Sequence, residues 1–170
     1  ILEKGPDRNP SDASQGPRGT IPCMGEHTRG YAQRIDVVAD AQQVWRSLTT
    51  TEELARWCSP GATISGRPGG LFRASVDRVT ELEAHIDIFE PARRLRLIYL
   101  QTPALPATES AIVDDFILDA DGDGTVMRLL GSGYPADPAW DAHYLRLRVG
   151  WERAVARLKV WVERQSRSGA

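Results

Sequence analysis

Near the C-terminus the apolar positions fall into a stripe. Trp140, Tyr144, Leu147, Trp151, Ala154, Leu158 and Trp161 recur at alternating steps of four and three, the spacing that puts side chains on one face of an α-helix. The other face carries Asp141, Arg146, Arg148, Glu152, Arg153, Arg157 and Glu163. Asp137 is suited to accept from the free amides of a first helical turn, and Pro138 follows where a missing N–H costs nothing. The pattern therefore predicts a helix from Asp137 to about Arg164. Its stripe is about 30 Å long at 1.5 Å per residue, and its indoles and phenol need a broad apolar partner.

The preceding chain supplies one. Tyr31 to Ala39 reads as a strand, Asp40 as the cap of a helix holding Val44, Trp45 and Leu48, and Thr51 as the cap of a second holding Leu54, Ala55 and Trp57. From Ala62 the period changes to two, predicting strands at about 62–66, 70–77, 80–89, 93–101, 110–119 and 125–132. Opposed residues of an antiparallel pair share a face. A turn at Gly122-Asp123 sets Leu118 against Met127, Phe116 against Leu129 and Asp114 against Gly131. A four-residue turn at Glu90–Arg93 sets Ile88 against Leu95, Ile86 against Leu97 and Ala84 against Tyr99, with Asp87 opposite Arg96 on the outer face. Both registers send the apolar residues one way. The expected fold is α+β: a curved seven-stranded antiparallel sheet wrapped around the long final helix.

Length and composition add limits. A chain of 170 residues with 41% apolar content suits one core. We expect an extension tail at 1–29, one domain at 30–166 and a short tail at 167–170. Ile1 to Pro22 has little to bury, and the first methionine is Met24, so the residues before it read as an upstream extension. A net charge of -2 argues against nucleic acid. Cys23 and Cys58 stand alone, which suits a reduced, cytoplasmic compartment. No apolar run approaches a membrane span.

Asp114 falls on the inward face in this register. A buried carboxylate is costly unless paired, so it should meet Arg148, Tyr99 or water, or have a raised pKa. The alternatives are a solvated cavity end or a β-bulge that turns it outward. His85 falls on the outer face. Other motifs fail. Asp119, Asp121, Asp123 and Gly124 imitate a calcium loop, but Leu130 stands where a bidentate Glu is needed. Gly66 to Gly70 lacks a phosphate-loop lysine. His27, His85 and His143 are scattered over different elements, and Cys58 has no adjacent base. Neither a metal nor a cofactor is expected.

The order of strand, two helices, six-stranded meander and long last helix resembles the START-like or SRPBCC superfamily, the Bet v 1-like helix-grip fold. Within it the chain is most similar to the group related to the C-terminal domain of the Hsp90 ATPase activator Aha1. The match rests on Ala41–Leu48, Trp57–Pro60, Pro68-Gly69-Gly70 before Phe72, Glu90-Pro91 with Arg93-Arg94-Leu95, Gly122-Asp123-Gly124-Thr125, Ser132-Gly133-Tyr134 and Gly150-Trp151. The loop Thr102–Thr108, with its two prolines, is longer than usual for the group. The resemblance implies a gap between sheet and helix. Phe72, Leu97, Tyr99, Asp114, Phe116, Tyr144, Leu147 and Trp151 are its candidate lining, and Trp57 is placed at its mouth. The expected function is binding of a small apolar or amphipathic molecule in a cavity of a few hundred Å3, with no catalytic residue assigned. A polyketide cyclase- or aromatase-like enzyme and an Hsp90-activator-like interaction module are the alternatives. Val113 and Ile117 on the outer face suggest a homodimer contact.

Overall fold

A computed structural model describes residues 27–76 and 80–168 of the chain. Residues 1–26 of the expected tail, with Cys23 and Met24, lie outside the described residues, as does Asp77 at the end of the expected third strand. The elements run β1 (Thr28–Val37), α1 (Ala41–Thr49), α2 (Thr51–Trp57), β2 (Thr63–Ile64), β3 (Leu71–Ser75), β4 (Glu81–Glu90), β5 (Arg94–Tyr99), β6 (Val113–Asp121), β7 (Gly124–Pro135) and α3 (Pro138–Ser168). The strands form one antiparallel sheet in the order β1-β7-β6-β5-β4-β3-β2. α3 packs on its inner face, which is the expected helix-grip arrangement. No helix of the described residues is long and apolar enough to cross a membrane.

Local chemistry sets the helix ends. Asp40 accepts from the Gln43 amide at 2.8 Å and starts α1. Thr50, in extended backbone, and not Thr51, precedes α2. The Thr51 hydroxyl is engaged elsewhere, accepting from the Ile64 amide at 3.1 Å and donating to the Ile64 carbonyl at 3.3 Å, which ties β2 to α2. α3 starts at Pro138, where the Asp137 carboxylate accepts from the Ala139 amide at 2.7 Å. It continues past Arg164 because its last turns are tied down: Gln165 donates to Glu53 and Ser166 to Gln43. β1 begins at Thr28, inside the expected tail, because it pairs with β7 as far as Pro135.

The β6–β7 register is the expected one, with Leu118 opposite Met127, Phe116 opposite Leu129 and Asp114 opposite Gly131. The β4–β5 hairpin differs at its tip. Ile86 faces Leu97 and Ala84 faces Tyr99, but Ile88 faces Arg96 and Phe89 faces Leu95. The turn has three residues between Glu90 and Arg94, with Ala92 left-handed at φ 56. A bulge between Ile86 and Ile88 absorbs the resulting one-residue offset. Asp87 still reaches Arg96 at 3.5 Å.

Two apolar clusters fill the interior. The larger joins α1, α2, the sheet and the middle of α3, with Trp151 stacked on Phe72 (centroids 6.2 Å) and edge-on to Phe116 (5.2 Å). The smaller gathers Leu82, Leu105, Ile112, Tyr134, Trp140 and Leu147 at the other end of α3. Val155 and Val162 join the expected helical stripe, whereas Tyr144 and Trp161 are half-buried. Val113 and Ile117 are half-buried too.

Candidate functional site

Asp114 lies on β6 between Leu97 of β5 and Gly131 of β7, and its side chain is 0% exposed. Three tyrosines donate to it: Tyr31 to Oδ1 at 2.7 Å, Tyr134 to Oδ1 at 3.0 Å and Tyr99 to Oδ2 at 2.7 Å. The Trp151 indole then donates to the Tyr99 hydroxyl at 3.0 Å, linking the cluster to α3. Two glycines make the convergence fit. A Cβ at Gly131 would lie 2.3 Å from the Tyr31 ring, so only a bare position lets that ring cross from β1 over β7 to the carboxylate. Along β7 the buried positions are Thr125, Met127, Leu129 and Gly131, and the alternation then breaks. Gly133 has φ 77 and presses against the Ala111 carbonyl, where a Cβ would come within 1.9 Å. The break in phase turns Tyr134 inward.

Burial penalises the charged carboxylate and pushes the Asp114 pKa up to about 6, although hydrogen bonds from Tyr99, Tyr31 and Tyr134 pull the other way. The same burial, together with the Asp114 charge, holds all three tyrosines well above their ordinary pKa. They remain donors. The arrangement is a proton acceptor surrounded by weak acids. The next residue contrasts with it. Asp115 points to the other face, where forked bonds from Arg94 and Arg96 outweigh its own burial and hold its carboxyl below the usual range.

Of the residues expected at the site, Phe72, Leu97, Tyr99, Asp114, Phe116 and Trp151 come together on the inner face. Tyr144 packs beside them against Tyr31 and Tyr134, its hydroxyl donating to the Gly30 carbonyl and the Arg29 guanidinium over its ring. Leu147 belongs to the smaller cluster. Trp57, the last residue of α2, is 2% exposed, with its indole N–H on the Ser47 carbonyl at 2.8 Å. Of the expected Asp114 partners, Tyr99 is present, whereas Arg148 is exposed and its carbonyl accepts from Gln33. Complete burial overturns the two alternatives in which Asp114 is solvated or turned outward.

The pocket next to Trp151 is smaller than the few hundred Å3 expected. Between β3, β4 and α3, beside Trp151, Ala154 and Gly150, lies a pocket of about 30 Å3, room for a water molecule. The rings of Phe72, Phe116 and Trp151 pack against one another on the inner face. On the other side of α3 an open groove of about 610 Å3 runs along β1, with Tyr31 in its wall. Tyr31 and Tyr134 were missed in the sequence. The signals were Gly131 opposite Asp114 and the Gly133-Tyr134 step that ends the alternation.

The model of the family described as activator of Hsp90 ATPase homolog 1-like protein matches residues 38–163. Similar solved structures include a protein from Mesorhizobium loti, at 22% identity and TM-score 0.69, covering 80% of this chain and 98% of that one. The Aha1 dimer from Colwellia psychrerythraea has 17% identity and TM-score 0.68, covering 79% and 96%. CalU16 from Micromonospora echinospora has 22% identity and TM-score 0.62, covering 83% and 80%. At such identities the likeness is one of fold. No curated protein sequence matches the chain.

Proposed function

We propose, since this chain belongs to the activator of Hsp90 ATPase homolog 1-like family, that it binds a small amphipathic molecule between the sheet and α3, polar end at Asp114. The carrying observation is a fully buried carboxylate held by three tyrosine hydroxyls, with the Trp151 indole as its link to α3. Perturbed, convergent titratable groups of this kind gather where a protein handles ligands. A guest hydroxyl or amine replaces one tyrosine O–H on Asp114, and its apolar part lies against Phe72, Leu97 and Phe116. Because the pocket beside Trp151 holds only about 30 Å3, a guest of this size enters as Trp151 swings and α3 lifts.

A thermal-shift panel of long-chain alcohols, long-chain amines and polycyclic phenols tests this on the wild type and Asp114→Asn. At a hundredfold excess over Kd, binding adds about 2.7 kcal/mol, which raises Tm by several degrees. The rise should be at least halved in the variant. No response from any compound, or equal responses in the two proteins, overturns the proposal.

Tyr99 and Asp114, 2.7 Å apart, also favour a second reading, an acid–base pair for cyclisation or dehydration of an enolisable polyketone. Turnover by the wild type that Asp114→Asn abolishes supports it, and equal turnover removes it. Family membership supports a third reading, contact with an Hsp90-type chaperone, together with self-association. Co-precipitation and light scattering test these, and a monomer that leaves the chaperone in solution excludes both.

A further inference from the structure

Arg157 of α3 closes the end of α2. Its Nε donates to the Trp57 carbonyl at 2.7 Å and its Nη2 to the Cys58 carbonyl at 2.9 Å, two of the carbonyls that a helix C-terminus leaves without an internal partner. These bonds hold the guanidinium in place and use two of its five N–H groups. The described residues offer the other three no partner and Arg157 no carboxylate.

Arg157 also stands where two cavities meet. An open cleft of about 540 Å3 lies between the end of α2, the residues that follow it, the end of β3 and α3. It shares Cys58, Ser75, Val76 and Arg157 with the 30 Å3 pocket beside Trp151. The cleft is therefore a way into that pocket from solvent. Its charged groups among the described residues are Arg56 and Arg157, both exposed, and no described residue lining either cavity is acidic. Beyond Arg157 the inner pocket is walled by Ala74, Leu82, Trp151 and Ala154. The Cys58 thiol does not supply the missing anion, because burial pushes it up to about 12 although the Arg157 charge pulls the other way. A cationic mouth on an apolar interior complements a guest with an anionic head and an apolar body. A guanidinium matches a carboxylate in particular, since its planar fork can give two parallel bonds.

We infer that the guest of this site is a carboxylate-bearing amphiphile, its head held by the Arg157 guanidinium at the mouth and its body running past Val76 and Ala154 to Trp151. This rests on the function proposed above, with a hydroxyl of the same guest at Asp114. Arg157 and Trp151 are six residues apart on α3, about 9 Å at 1.5 Å per residue, which a chain of about eight to ten carbons spans at about 1.5 Å per bond. The class is a medium-chain hydroxy acid with its hydroxyl at the far end from the carboxylate.

Isothermal titration calorimetry of 10-hydroxydecanoate and of its neutral counterpart decane-1,10-diol tests this on the wild type, Arg157→Gln and Asp114→Asn. The wild type should bind the acid about tenfold more tightly than the diol, and Arg157→Gln should lose that preference while still binding the diol. Equal affinities in the wild type, or a preference that survives in Arg157→Gln, overturns the inference and leaves the proposed function standing. If Arg157→Gln does not fold, salt decides on the wild type. Between about 0.05 and about 0.5 M NaCl the affinity for the acid should fall severalfold while that for the diol holds, and a preference that salt leaves unchanged overturns the inference. Binding of neither compound by the wild type removes the inference and the proposed function together. If the preference for the acid stands but Asp114→Asn binds both compounds as the wild type does, the carboxylate site at Arg157 is upheld and Asp114 is not the inner anchor.

Discussion

Asp114 takes its hydrogen bonds from three phenols and not from a guanidinium, and this fixes its response to pH. Its pKa rises from an ordinary 3.8 to about 6 in the folded protein, so between those values the folded chain holds more protons than the unfolded one. Stability from this group is complete below about pH 4 and is lost as pH rises through 6, by about 3 kcal/mol. Asp115 and Glu53, both lowered, act in the opposite sense: their contribution is complete above about pH 4.5 and is lost as pH falls through their lowered pKa values. Asp114→Asn removes the first effect alone. Between pH 4 and 7, the stability of the variant relative to wild type should rise by about 3 kcal/mol in urea unfolding, and a flat difference would contradict the assignment. Tyr99→Phe strands the Trp151 N–H and one Asp114 oxygen, so it should cost about 2 kcal/mol by the same measurement. That Asp114 faces inward was legible from hairpin arithmetic. That Tyr31 and Tyr134 would meet it was not, because their positions depend on a shift in the β1–β7 register between Arg29 and Tyr31 and on the left-handed Gly133, which a period-two pattern does not encode.

α3 is held along its length by different means, apolar stacking at Trp151 and polar ties at its far end, where Trp161 and Gln165 both donate to Glu53. Its weak point as a helix is Gly150, beside the gap at Trp151. A Cβ there would meet the Val76 Cγ1 at 2.7 Å, the far end of a side chain. Gly150→Ala gains about 1 kcal/mol in helix propensity and loses part of it to that crowding, so global stability should change by less than about 1 kcal/mol. The gap, however, narrows. The ligand-induced rise in Tm should fall markedly in Gly150→Ala, and an undiminished rise would mean that guests enter elsewhere. Elements were well read from the sequence where several signals agreed, as at Asp40, Asp137 and the Gly122-Asp123 turn. The β4–β5 tip was misread because a left-handed Ala92 shortens the turn by one residue, and neither Ala92 nor the compensating bulge carries a glycine to mark it.

At the scale of the molecule, the Asp114 cluster sits where the two apolar clusters meet. Tyr31 and Tyr99 pack against both, Trp151 belongs to one and Tyr134 to the other. The polar hub at this junction ties β1, β5, β6 and β7 to α3 through the Tyr99–Trp151 link. Strand order and the gripping helix were legible because pattern, turns and register agreed across the chain. Cavity volume was not, since it is a small difference between large packed volumes and is decided by rotamers such as those of Phe72 and Trp151. The most direct test follows the Asp114 carboxyl carbon by 13C NMR from pH 3 to 9, with and without a saturating long-chain amine. The account predicts a midpoint near 6 in the free protein that moves down by more than one pH unit when the amine is bound. A midpoint near 4, or one the amine leaves in place, would contradict it.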